Sequence, residues 1–166
     1  VPLLLCGKRF HGRLYCLAPQ YARHAMFENA SRDQLRRMYA EAWRKHRAGE
    51  VLEPLEKQIA ELVAEHPEYQ ALIEDPDAVL AAEFTPEGGQ SNPFLHMGMH
   101  LAIREQAGTN RPAGFTAAYQ NAVRKLGAHE AEHAIMECLG TALWEAQRFG
   151  RAPDEQSYLE CVRRLA

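Results

Sequence analysis

Proline and glycine divide residues 31–165 into segments that repeat with a helical period, and this punctuation constrains the fold class more than any other feature. A helix start favours a side-chain cap or a proline in its first turn, and a helix end favours glycine in a left-handed turn. Ser31, with Gln34 three residues on, forms a capping box; Leu35, Met38, Tyr39, Ala42, Trp43 and His46 then recur at helical spacing up to Gly49. Pro54 opens a stripe of Leu55, Ile59, Leu62 and Val63 that stops before Pro67. Pro67 opens a short helix through Leu72, Asp75-Pro76-Asp77 breaks it, and residues 78–83 add one more turn. The run from Thr85 to Ser91, with Gly88-Gly89, reads as a loop. Asn92-Pro93 then starts a helix reaching about Ala107, and Arg111-Pro112-Ala113-Gly114 turns the chain. Further helices are predicted over 116–126, over 128–149 with Gly150 closing it, and from Pro153-Asp154-Glu155 to Leu165. No alternating β-branched run occurs. The expectation is an all-α fold, a compact bundle of five or six helices.

A chain of 166 residues suits one domain and can bury a core without disulfide or metal staples. A charged fraction of 25% is ordinary for a globular protein, and a net charge of −3 argues against a nucleic-acid partner. No apolar run reaches the roughly 18 residues of a membrane span, so no membrane partner is expected. The charge is uneven, however. Residues 1–25 hold Lys8, Arg9, Arg13 and Arg23 and no acid, so they carry +4 and leave −7 to residues 26–166. This break predicts a non-native or disordered extension over 1–25 and a single helical-bundle domain over 26–166. Of the cysteines, Cys6 and Cys16 fall in the extension. Cys138 and Cys161 sit in helical patterns without a C-x-x-C pair, and are expected to be buried small residues of a reducing, cytoplasmic protein. Trp43, Trp144 and Phe149 are read as core, and His46 as a partly buried packing residue. His66, before Pro67, stands at a helix end where the dipole favours a cation.

The other helical histidines suggest chemistry. His96 and His100 are four apart, as are His129 and His133, and this spacing puts each pair on one helix face a turn apart, as a shared metal requires. Eight histidines in 166 residues give roughly 0.4 such pairs by chance, so two pairs carry some weight. Residues 129–133 read H-E-x-x-H, with Glu137 one turn on. One helix separates the two histidine helices, so an up-down-up arrangement sets them parallel. His96 is then level with His129, His100 with His133, and an Arg104–Glu137 ion pair lies beneath. His96, His100, His129, His133 and Glu137 are the predicted metal ligands, with zinc first and iron second. Glu130 is the predicted general base of a metal-dependent hydrolase acting on a small-molecule substrate. Glu137 falls too close to His133 to be the third ligand of the usual zinc peptidases. Glu130-x-x-His133 also fits a dinuclear iron bundle for redox or oxygen handling, with Glu130 and Glu137 as bridging carboxylates, Glu41 or Glu61 as a further one, and Glu105 off the histidine face. A third reading is a helical interaction module with structural histidines. Exposed stripes on the early helices leave a homodimer open.

The stretches Asn92-Pro93-Phe94-Leu95-His96-Met97-Gly98-Met99-His100, His129-Glu130-Ala131-Glu132-His133-Ala134-Ile135-Met136-Glu137-Cys138-Leu139 and Trp144-Glu145-Ala146-Gln147-Arg148 resemble a proteobacterial family of unknown function numbered 1841. The resemblance runs from about Met26 to the C-terminus. It implies a small bacterial cytoplasmic protein and carries no activity.

Overall fold

The capping signals of the sequence are realised in a computed structural model that describes residues 31–84 and 92–166. The expected 1–25 extension, the reading of Cys6 and Cys16, and the loop with Gly88-Gly89 lie outside the described residues. Among those described there are eight α-helices and no strand: α1 (Arg32–Ala48), α2 (Pro54–Glu65), α3 (Pro67–Ile73), α4 (Pro76–Ala81), α5 (Pro93–Thr109), α6 (Phe115–Leu126), α7 (Ala128–Phe149) and α8 (Glu155–Arg163). The fold is all-α. The count exceeds the five or six expected because the short α3 and α4, the latter read as a single turn, stand as separate helices, each opened by its own proline. No helix among the described residues is long and apolar enough to cross a membrane.

The capping box at α1 is present in full: Gln34 N–H donates to Ser31 Oγ at 3.3 Å, and Ser31 N–H to Gln34 Oε1 at 2.6 Å. Gly49 ends α1 at φ 70°, a left-handed position where a side chain would be strained. Asn92 caps α5 by accepting from Phe94 N–H at 3.0 Å and Leu95 N–H at 3.3 Å. Asp154 does the same for α8, and these backbone donors hold its carboxyl below the usual range.

The chain divides into two compact units, one ending at Leu101 and one running over Ala102–Ala166. In the first, α1 to α4 and the first half of α5 enclose a core of Tyr39, Ala42, Trp43, Ile59, Val63, Ile73 and Met97. One arginine is built into it. Arg36 is 4% exposed, and its Nη1 donates to the carbonyls of Val79, Leu80 and Ala82 at 2.9, 3.1 and 2.8 Å. These carbonyls lie at the C-terminus of α4, where a helix runs out of its own donors. The guanidinium also lies over the Phe84 and Phe94 rings at 5.6 and 5.1 Å, so its apolar faces are covered too. His46 corrects an expectation: it is exposed and stacks on Trp43 at 5.4 Å, because the buried stripe of α1 ends at Trp43.

In the second unit Phe115 packs between Tyr119 and Tyr158, and the Tyr158 hydroxyl donates to Gln106 Oε1 at 2.9 Å. Asn110 Oδ1 accepts from Gly114 and Thr116 N–H, which folds the α5–α6 turn. Two further expectations are corrected here. Cys138 and Cys161 form a disulfide between α7 and α8, where a Cα separation of 5.8 Å brings their sulfurs into bonding reach. With that bond present, the cysteines no longer argue for a reducing compartment. Trp144 and Phe149 are 57% and 62% exposed rather than core, each carrying an arginine over its ring.

Two stability effects follow. Arg36→Ala leaves three helix-end carbonyls without their donor in an apolar setting, and should destabilise the protein by about 2–4 kcal/mol in urea unfolding. Arg36→Lys should retain only part of this stability, since a point charge cannot also cover the two rings. The disulfide spans a sequence separation of 23 residues. Loop-closure entropy for such a span corresponds to about 3 kcal/mol, so the Cys138→Ser/Cys161→Ser variant should unfold at markedly lower urea.

Candidate metal centre

Three histidines meet in the first unit. His66 sits at the corner where α2 ends and α3 begins, and Pro67 forces that corner because it cannot continue the α2 ladder. His96 and His100 come from successive turns of α5. The ring centroids are 5.0 Å apart for His66–His96, 4.8 Å for His66–His100 and 5.0 Å for His96–His100, a nearly equilateral triangle. His66 is 1% and His100 0% exposed, while His96 is half-buried. Each of the three offers a ring nitrogen, and these nitrogens all lie within 4.8 Å of one another.

Hydrogen bonding orients the group. His66 Nδ1 lies 2.8 Å from the Leu62 carbonyl oxygen. A carbonyl only accepts, so Nδ1 carries the proton and His66 Nε2 presents a lone pair. That Nε2 lies 3.1 Å from His96 Nε2. Two nitrogens bound at about 2.0–2.1 Å to one tetrahedral zinc stand roughly 3.3–3.4 Å apart, so the observed spacing is close to that of ligands sharing an ion. A backbone carbonyl on the far nitrogen is also the usual way a metal-bound imidazole is fixed in orientation. Tyr69 stacks parallel to His66 at 5.6 Å and meets His96 edge-on at 5.8 Å, walling one side. Burial pushes its phenol above the ordinary range, so it stays neutral near pH 7.

His129 and His133 lie in the second unit, with ring centroids 4.2 Å apart on α7 as their spacing requires. Glu130 and Glu137 are exposed on the same helix. The expected Arg104–Glu137 ion pair is not formed. Arg104 instead pairs with Glu132, its Nε 2.9 and 3.2 Å and its Nη2 3.0 Å from the carboxylate oxygens, while Tyr119 O–H donates to the same carboxylate at 2.8 Å. The reason lies in the α7 stripe. Ile135, Met136 and Leu139 follow Glu132 at i+3, i+4 and i+7 and are all buried, so Glu132 belongs to the buried face and Glu137 does not. That apolar pattern was readable in the sequence. Glu41 and Glu61 are exposed, within salt-bridge distance of Arg44 and Lys57.

Residues 31–164 match a family model described as a domain of unknown function, DUF1841. The chain belongs to the DUF1841 family. No curated protein and no solved structure matches it. The DUF1841 match spans both the His66–His96–His100 group and the Arg104–Glu132–Tyr119 network.

The Glu132 side chain is only 2% exposed, so its charge depends on Arg104. Glu132→Leu should destabilise the protein by about 3–5 kcal/mol by stranding a largely buried guanidinium. Arg104→Leu/Glu132→Leu together should cost less than Glu132→Leu alone. Urea midpoints of the three proteins form the cycle that checks this, and an additive double variant would contradict it.

Proposed function

We propose that this protein binds one transition-metal ion through His66, His96 and His100. The observation that carries the reading is the pair of facing Nε2 atoms on His66 and His96, 3.1 Å apart, with the opposite nitrogen of His66 committed to Leu62. An all-imidazole donor set suits zinc, copper, nickel or iron(II), and is a poor match for magnesium or calcium. Zinc is the first expectation and iron the second. Three imidazoles leave room for a further ligand, which in zinc proteins is a feature of sites that handle a substrate or water. His129 and His133 stay in the proposal as ligands on the strength of their helical spacing. Metal-dependent hydrolysis, with Glu130 as general base, stays part of the proposal; Glu130 is exposed on α7.

Elemental analysis of untagged protein purified without chelator should find close to one equivalent of zinc or iron per chain. Cobalt(II) added to the stripped protein should give visible absorption typical of nitrogen ligation. His66→Ala and His100→Ala should each weaken zinc binding at least tenfold, while His46→Ala, which alters an exposed ring, should leave it unchanged. His133→Ala tests the ligand drawn from helical spacing alone. Stripped protein that takes up neither zinc nor cobalt would rule the proposal out.

A further inference from the structure

A second reactive group lies in the other unit, independent of the histidines. The Cys138–Cys161 disulfide forms part of the wall of a cleft of about 170 Å³ between α7 and α8. That volume is far above the 10–15 Å³ that one water needs, so a cysteine side chain from another molecule can enter. Thr141, Glu145, Ser157 and Arg164 line the same cleft, which makes it polar and wettable rather than a sealed apolar void. Its charged lining is Arg164 together with the carboxylates of Glu145 and Asp154. The two cysteines differ in exposure. Cys138 is 4% exposed on the buried face of α7, whereas Cys161 is half-buried on α8.

We infer that Cys161 is a thiol-exchange site, and that its partner is a dithiol reductant. Exchange proceeds by attack of a thiolate on one disulfide sulfur, and access decides which sulfur is attacked. Here the incoming thiolate bonds to Cys161 Sγ, the Cys138–Cys161 bond breaks, and the electron pair leaves with Cys138 as thiolate, which takes a proton from water. The second thiol of the reductant then attacks its own sulfur in the mixed disulfide. That step releases Cys161 as a thiol and leaves the reductant as its disulfide. Two electrons and two protons pass from the dithiol to the protein. The crosslink is not all that holds α8: Tyr158, Leu159 and Val162 are buried, and Tyr158 bonds Gln106. The helix therefore stays docked when the bond is cut, and the exchange is reversible in the folded protein.

The test uses the oxidised full chain in native buffer with reduced glutathione as a monothiol probe. The reaction is stopped with acid and the adducts are mapped by peptide mass spectrometry, so that Cys6 and Cys16 are scored separately. The expected result is glutathione on Cys161 in at least tenfold excess over Cys138, with dithiothreitol reducing the bond without denaturant. As a second measurement, the lone Cys161 thiol of Cys138→Ser should react with a thiol reagent at least tenfold faster than the lone Cys138 thiol of Cys161→Ser. Adducts mainly on Cys138, or shared equally, would overturn the inference. So would a bond that survives both thiols until urea unfolds the chain.

Discussion

A helical interior admits a polar side chain only where a partner meets it, and α5 carries three such side chains at four-residue intervals. His96, His100 and Arg104 stand on successive turns of one face. Leaving any of them without a partner would cost on the order of 1–3 kcal/mol, more for the guanidinium. The first unit meets this demand at the α2–α3 corner, where His66 is held by Leu62 and faces His96. The second meets it with Glu132, which receives Arg104 through both Nε and Nη2 and Tyr119 through its hydroxyl. In each unit the partner comes from an element distant in sequence. The polar face of α5 thus specifies which distant residues must be buried, a demand that apolar packing alone would not make.

Local signals account for most of what the sequence disclosed. The Ser31–Gln34 box, the Asn92 cap and Gly150 act within a few residues, and each appears where its chemistry places it. Where reading failed, the deciding contact was distant or the helical face was misjudged. Nothing local marks Arg36 as buried, and only the end of α4, more than 40 positions on, gives it carbonyls to satisfy. Trp144 has the composition of a core residue, yet its position on α7 turns it outward and places Arg148 over its ring at 5.2 Å. Cys138 and Cys161 show no motif, because a disulfide depends on where two helices approach and not on cysteine spacing.

The candidate site divides along the same line. His96 and His100 were legible because a spacing of four is a local geometric statement. His66 was not, since it has no histidine one turn away and stands before a proline, where a helix-end role was the simpler reading. Glu132 was within reach of sequence analysis. Its neighbours at i+3, i+4 and i+7 are all apolar, but the H-E-x-x-H pattern drew attention to Glu130 instead. A motif that names a residue by its chemistry must still agree with the face on which the apolar stripe puts it.

The contrast between the two polar groups bears on what the histidines are for. Glu132 is buried against a guanidinium that balances its charge and meets both of its oxygens. Imidazoles can be buried neutral, so a site built from them needs no resident counter-charge before a cation arrives. The 3.1 Å between His66 Nε2 and His96 Nε2 serves either state. With a proton between the nitrogens it is an ordinary hydrogen bond. With a cation facing both, it is close to the spacing of two ligands on one ion. Conversion requires His96 to move its proton to Nδ1, while His66 keeps its own on Nδ1 against Leu62. The Leu62 carbonyl therefore does more than satisfy a buried ring. It also fixes His66 in the tautomer that the proposed metal would bind, so that under that proposal little ordering would be left for an ion to drive.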